Sequence, residues 1–255
     1  CELQAINMPL TAPEESIPAV LIGSKDLSLL TSVVNGKQKI ALFVHGESSD
    51  EAAAQSVIGR LDRDAGRWVV VVTPQSGWFR CAGERGPGIA LLLGLTRWAA
   101  VGELPVNFMV ISASGHELGM VGENLFIEKT APPLHEVALW IHLGSSIGTC
   151  AWRRTPHGLK ALDVPDPASI IVAHRRIWPI INHSFNGHTC YAFPQDVDAF
   201  LEKTIAEKKE EQNRYGKRAG YDGRIYEGFT NAMLAGYRPM MALFGEHPHF
   251  HTPVD

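Results

Sequence analysis

The chain has 255 residues, of which 45% are hydrophobic and 20% charged, enough for one large buried core with room for a small appended module. Its formal net charge of -4, with Lys and Arg scattered along the chain, lacks the basic stripe of a nucleic-acid binder, so no nucleic-acid partner is expected. No apolar run reaches the roughly 18 to 20 residues that span a bilayer, and Cys1, Cys81, Cys150 and Cys190 form neither a C-x-x-C pair nor a dense disulfide scaffold.

The first residues lack the charged-then-apolar order of a signal peptide, and the chain reads as processed or partial. Short β-segments are expected at 17–23 and 39–44, with a turn at Asn35-Gly36 and a short helix from Asp26 to Val34 between them. Ser56 to Leu61 follows a polar stretch, and 62–67 reads as a turn. Trp68-Val-Val-Val-Val-Thr is a continuous β-branched run of the kind buried on both faces, so an α/β sheet begins here.

Ile89 to Ala100, apolar all round except for Arg97, predicts a buried helix. Val106 to Ile111 predicts a core strand that delivers His116 and Glu117 at its C-terminal end, where open α/β sheets place their ligands, and 120–128 continues as a helix. A further strand runs from Val137 to Gly144 and carries His142. Residues 165–194 read as irregular. Residues 196–218 read as a solvated amphipathic charged helix that could contribute to a partner surface, and a homodimer is left open for the chain. The last strand, Pro239 to Gly245, leads into His247-Pro-His249-Phe-His251.

Five stretches carry chemistry. They are Thr73-Pro74-Gln75-Ser76-Gly77-Trp78, Cys81-Ala82-Gly83-Glu84-Arg85-Gly86-Pro87-Gly88, His116-Glu117-Leu118-Gly119-Met120-Val121-Gly122-Glu123, His142-Leu143-Gly144-Ser145-Ser146-Ile147-Gly148 and Phe250-His251-Thr252-Pro253-Val254-Asp255. Their order resembles that of the zinc-dependent exopeptidases, the family of bacterial leucyl aminopeptidases, glutamate carboxypeptidase and glutaminyl cyclase. The family's motifs are "A-H-x-D-S", "G-A-x-D-N-x-S-G", "E-E-x-G-x-x-G-S", "N-L-D-x-x-G" and "x-H-T-x-x-D".

The resemblance implies a three-layer α/β sandwich with a mixed central sheet over 56–255, preceded by a small β-rich remnant of a protease-associated module over 1–55. It also implies a secreted or periplasmic protein, with a cytoplasmic one left open. Position by position, the family's first zinc-binding His is Pro74 here, its bridging Asp is Glu84 with Arg85 beside it, and its second Asp ligand is Gly144. Glu117 keeps a ligand position, His116 takes the place of the general base, and His251 lies in the one intact motif.

A two-zinc site is therefore not expected. A single zinc ion held by Glu117, His251 and one of Glu84, His116 or His142 would have the three protein ligands of a catalytic site. The expected function is a divergent aminopeptidase-like hydrolase cleaving an amide, ester or related bond of a small-molecule or peptide-like substrate. His116 is its general acid/base, Glu117 stands beside it, and Glu84, Arg85, Ser76, Trp78 and His142 contact substrate. Ser76 and Cys81 are open to a nucleophilic role, with a turn-forming role preferred for Ser76, and His142 reads equally as a core histidine. Two alternatives stand: a metal-free isomerase, lyase or cyclase moving protons through His116, or a non-catalytic pseudo-peptidase that keeps the pocket for binding.

Overall fold

A computed structural model describes residues 3–4, 21–22, 26–41, 43, 52–156, 158–165, 170–174, 176–184, 191–192, 227–245, 249–253 and 255. The expected helix at 196–218, His247, Cys190 and most of the segment at 17–23 lie outside them. In chain order the elements are β1 (Leu3–Gln4), β2 (Leu21–Ile22), α1 (Leu27–Asn35), β3 (Val57–Leu61), β4 (Trp68–Pro74), α2 (Ala82–Val101), β5 (Asn107–Ala113), α3 (Val121–Lys129), β6 (Val137–Leu143), β7 (Cys150–Thr155), β8 (Gly158–Pro165), β9 (Ile170–Ala173), α4 (Trp178–Ser184), β10 (Tyr191–Ala192), α5 (Glu227–Leu234) and β11 (Met240–Phe244).

Seven strands form one mixed sheet in the order β10-β9-β11-β6-β4-β5-β3. The central four, β11, β6, β4 and β5, are mutually parallel, while β3 and β9 run antiparallel to their neighbours β5 and β11. Parallel strands buried on both faces explain the unbroken apolar run of β4.

The period-two alternation of a strand sends successive side chains to opposite faces, and two separate cores result. Val70, Val72, Met109, Ile111, Trp140 and Met240 pack on one face with Phe126 of α3 and Phe229 and Met233 of α5. Val71, Phe108, Val110 and Leu143 pack on the other with Leu92 and Ala99 of α2. Helices therefore cover both faces of the sheet, the three-layer arrangement expected from the sequence.

Three local expectations need correction. The segment at 165–194 contains β9, α4 and β10, elements too short to leave a hydrophobic period. Residues 39–41 of the expected strand at 39–44 have no regular structure. Helix α2 buries one stripe rather than its whole circumference: Gly88, Leu92 and Ala99 face the sheet, whereas Leu93, Trp98 and Val101 are exposed. A helix layered on a sheet can bury only the side it presents.

The C-terminal ends of β6 and β11 approach so closely that Gly144 has no room for a side chain. A Cβ there would run into the ring of Phe244 and lie 2.9 Å from the carbonyl oxygen of Leu243. Gly144→Ala should therefore destabilise the fold by about 1–3 kcal/mol through overpacking. Denaturant unfolding checks this, and in a Phe244→Ala background the same Gly144→Ala change should cost less; an unchanged midpoint for Gly144→Ala would show that the ring moves aside freely.

Candidate active site

Because β4, β5, β6 and β11 are parallel, the loops that follow them meet at one end of the sheet. These loops deliver Ser76 after β4, His116 and Glu117 after β5, Ser146 after β6, and His251 and Asp255 after β11. Strain collects in the same place. Phe79, Cys81, Ser146 and His251 all have positive φ, near 58°, 42°, 57° and 60° respectively, in a region that costs non-glycine residues of order 1–3 kcal/mol each.

The first turn of α2 supplies the charges. An α-helix begins with N–H groups that have no partner within the helix, and Cys81 at the N-cap contributes no side-chain bond. Asp255 does so from the far end of the chain: its Oδ1 accepts the backbone N–H groups of Gly83 at 2.7 Å and Glu84 at 3.1 Å. The backbone carbonyl of Glu84 accepts the N–H of Ser146 at 2.9 Å. Glu84 is thereby fixed at the focus of the loops with its carboxylate fully buried.

Arg85 lies between the acids. Its Nη2 stands 2.6 Å from Oε1 of Glu84 and 2.9 Å from Oε1 of Glu117, and its Nε donates to the Ser76 carbonyl at 2.7 Å. The guanidinium is only 3% exposed. The second oxygen of Glu117 accepts the Ser76 hydroxyl at 2.7 Å, and that hydroxyl accepts the backbone N–H of His116 at 3.0 Å. His251 Nε2 stands 3.3 Å from Oε1 of Glu84. Apart from its ionic contacts, neither carboxylate oxygen of Glu84 accepts a well-aligned hydrogen bond.

Of the residues singled out in the sequence, Ser76, Glu84, Arg85, His116, Glu117 and His251 therefore converge. His142 lies deeper, fully buried on β6, with Nδ1 3.7 Å from Oε1 of Glu123. Trp78 is half-buried on the loop after β4. Trp152 stands edge-on to His249 at a centroid distance of 6.0 Å.

Sequence reasoning passed over two participants. The cap by Asp255 joins residues 172 and 171 positions apart and leaves no local pattern, although the residue closes the intact fifth motif. Glu123 replaces the Ser that ends the third motif, and that departure was its signal.

The imidazole of His116 is held well below the ordinary histidine value, first by burial and then by the positive charge of Arg85, with His142 and His251 adding to the effect. It is thus neutral at neutral pH and a weaker base than a free imidazole. The Cys81 thiol is pushed up, first by burial and then by Glu84, which disfavours the thiolate a nucleophile requires.

No family profile matches this chain, and no curated protein matches it in sequence. Solved structures do match. BSAP, a zinc aminopeptidase from Bacillus subtilis, aligns with 14% identity over 96% of this chain and 53% of its own, with a TM-score of 0.58. The fold is that of the zinc aminopeptidases.

The Legionella pneumophila LapA aminopeptidase follows at 14% identity over 78% of this chain and 48% of its own, with a TM-score of 0.49. A glutaminyl cyclase from Porphyromonas gingivalis has 11% identity over 78% and 67%, with a TM-score of 0.44. This chain spans about half the length of BSAP, 53% of it in that alignment.

The residues that this chain places in the aminopeptidase fold do not suit a zinc ion. Among the described residues no three His, Cys, Asp or Glu side chains converge as ligands. The expected trio of Glu117, His251 and Glu84 is divided by Arg85, which is ion-paired to both carboxylates. Pro74 offers no donor side chain, and the steric closure at Gly144 prevents a carboxylate from returning there.

The His116 environment has a measurable consequence. A histidine whose folded value lies below its unfolded value of 6.5 takes up its proton first in the unfolded chain, so stability falls as pH drops below about 6.5 and goes on falling until the folded group protonates. Histidine-selective NMR should show His116 titrating well below 6.5. A midpoint at or above the ordinary value would mean that the imidazole is solvated or paired with an acid.

Proposed function

We propose that this chain is an enzyme of the aminopeptidase fold that acts, without a catalytic metal, on an amide, ester or related bond of a small or peptide-like substrate, with His116 as its proton-transfer group. One observation carries the reading: His116 is tied through Ser76 to a fixed carboxylate–guanidinium chain at the sheet end where open α/β folds bind ligands. Residues 1–55, as a partial protease-associated-like module, remain part of this proposal.

In this reading the neutral imidazole nitrogen accepts a proton from water as the water oxygen attacks the substrate carbonyl carbon. The same proton passes to the leaving nitrogen or oxygen when the carbon–heteroatom bond breaks. Glu117 takes no proton in either step. Both its oxygens are engaged, one by Arg85 and one by Ser76, so it fixes the loop whose backbone carries His116. The depressed basicity of His116 has two opposing effects: the whole population is in the base form at neutral pH, and each imidazole abstracts its proton less strongly.

A specific observation favours a second reading, a pseudo-peptidase that binds without turnover. Arg85 and the Ser76 hydroxyl already occupy one Glu117 oxygen each, and Arg85 Nε is taken by the Ser76 carbonyl, leaving fewer groups for a transition state. A panel of aminoacyl esters and anilides separates the two readings. On the enzymatic reading the wild-type protein turns over at least one of them, and His116→Ala loses roughly 10²–10⁴-fold in kcat/KM while still binding the corresponding amino acid. Turnover that survives His116→Ala would remove the histidine from the mechanism, and wild-type binding with no turnover would select the pseudo-peptidase. The kcat/KM profile of the enzyme should also stay flat through neutral pH and fall only on the acid side of 6.5, as His116 protonates; an acid limb centred at or above 6.5 would assign the base to another group.

A further inference from the structure

The sequence contains acids at two positions where the aminopeptidase-like motifs carry metal ligands, Glu84 and Glu117, and the structure buries both within reach of one guanidinium. Two buried carboxylates facing one interior point repel each other and have lost their water, so both can stay ionised only if a positive charge occupies that point. Arg85 supplies it from the same helical turn as Glu84. Its pairing geometry is uneven: the contact to Glu117 is a proper hydrogen bond at 2.9 Å, whereas the 2.6 Å contact to Glu84 is close but poorly aligned. Glu84 thus has acceptor capacity that a directional N–H donor does not use. A spherical cation has no such directional requirement and could use it, and His251 Nε2 lies 3.3 Å from the same oxygen.

We propose that Arg85 is a resident cation that organises Glu84 and Glu117 as a divalent ion would, and that removing its guanidinium converts the pocket into a cation site. The inference rests on the metal-independent reading of this site. It goes further in assigning Arg85 as the positioning residue and in naming Glu84, Glu117 and His251 as the groups that would receive the replacement ion. Since the Ser76 carbonyl accepts Arg85 Nε and the Ser76 hydroxyl links Glu117 to the His116 backbone, the guanidinium also sets the loop on which His116 stands.

The test uses the full chain and reads thermal stability and zinc binding. Arg85→Ala should lower Tm by roughly 10 °C, because it leaves two carboxylates buried without their cation. Zinc, or low-millimolar guanidinium compared with equal sodium chloride, should return much of that loss, and calorimetry should show about one zinc taken up per chain. The wild-type protein should respond to neither cation.

An unchanged Tm for Arg85→Ala, or a lowered Tm that neither cation restores, would overturn the proposal. Should Arg85→Ala fail to fold, the triple variant Glu84→Gln/Arg85→Met/Glu117→Gln keeps the question open to experiment. With all three charges removed it should fold with a Tm above that of Arg85→Met alone and show no zinc response. A triple variant no more stable than Arg85→Met would show that charge balance is not what holds the site. None of these measurements reads turnover, so the role of His116 can fail while this proposal stands, and the reverse.

Discussion

Two carboxylates cannot both stay ionised side by side in a protein interior without a cation, and that constraint organises one end of this molecule. Desolvating an ionised acid costs several kcal/mol unless an opposite charge is near, and breaking a buried pair by removing one partner costs about 3–5 kcal/mol. Arg85 meets the requirement for Glu84 and Glu117 together. The guanidinium itself bonds the loops after β4 and β5, and the helical turn that carries it bonds those after β6 and β11. The Ser76 carbonyl ties in the loop after β4, Glu117 the loop after β5, and the Glu84 backbone the loop after β6 through Ser146. Asp255 and His251 bring the loop after β11 onto the first turn of α2. Four strand ends thus meet at the first turn of α2, two of them through the guanidinium itself.

The same geometry explains why the aminopeptidase fold is kept while the donors that a metal would need are not. Pro74 has no ligating side chain, and the ring of Phe244 fills the space that an acid at Gly144 would need. The site that remains has a negative pair balanced internally and a histidine kept neutral by burial and by neighbouring positive charge. In the proposed reading its chemistry is that of proton transfer and hydrogen bonding, with the charge needed for order supplied by the chain itself.

Much of this could be read from the residues. The β-branched run of β4 and the apolar runs of β5, β6 and β11 place the core strands because buried parallel strands need such runs. The position of His116-Glu117 directly after one of them points to the candidate site at the C-terminal ends of these strands. The adjacency of Glu84 and Arg85 announces a charge pair, but no sequence pattern shows that the same guanidinium also reaches Glu117, 32 residues away. The cap by Asp255 escapes for the same reason, since it joins residues 172 and 171 positions apart. Strands β9 and β10 have four and two residues, too few to show a period, and the exposed side of α2 follows from which face the sheet covers rather than from its composition.

The most direct measurement is the zinc content of the wild-type protein, purified from zinc-replete cells without chelators and determined by elemental analysis against protein concentration. With Arg85 as the resident cation, zinc should be far below one atom per chain, and what is present should wash out on dialysis with no change in Tm. One tightly held zinc per chain, lost only to a chelator and taking stability with it, would contradict the account and return Glu84, Glu117 and His251 to the role of metal ligands.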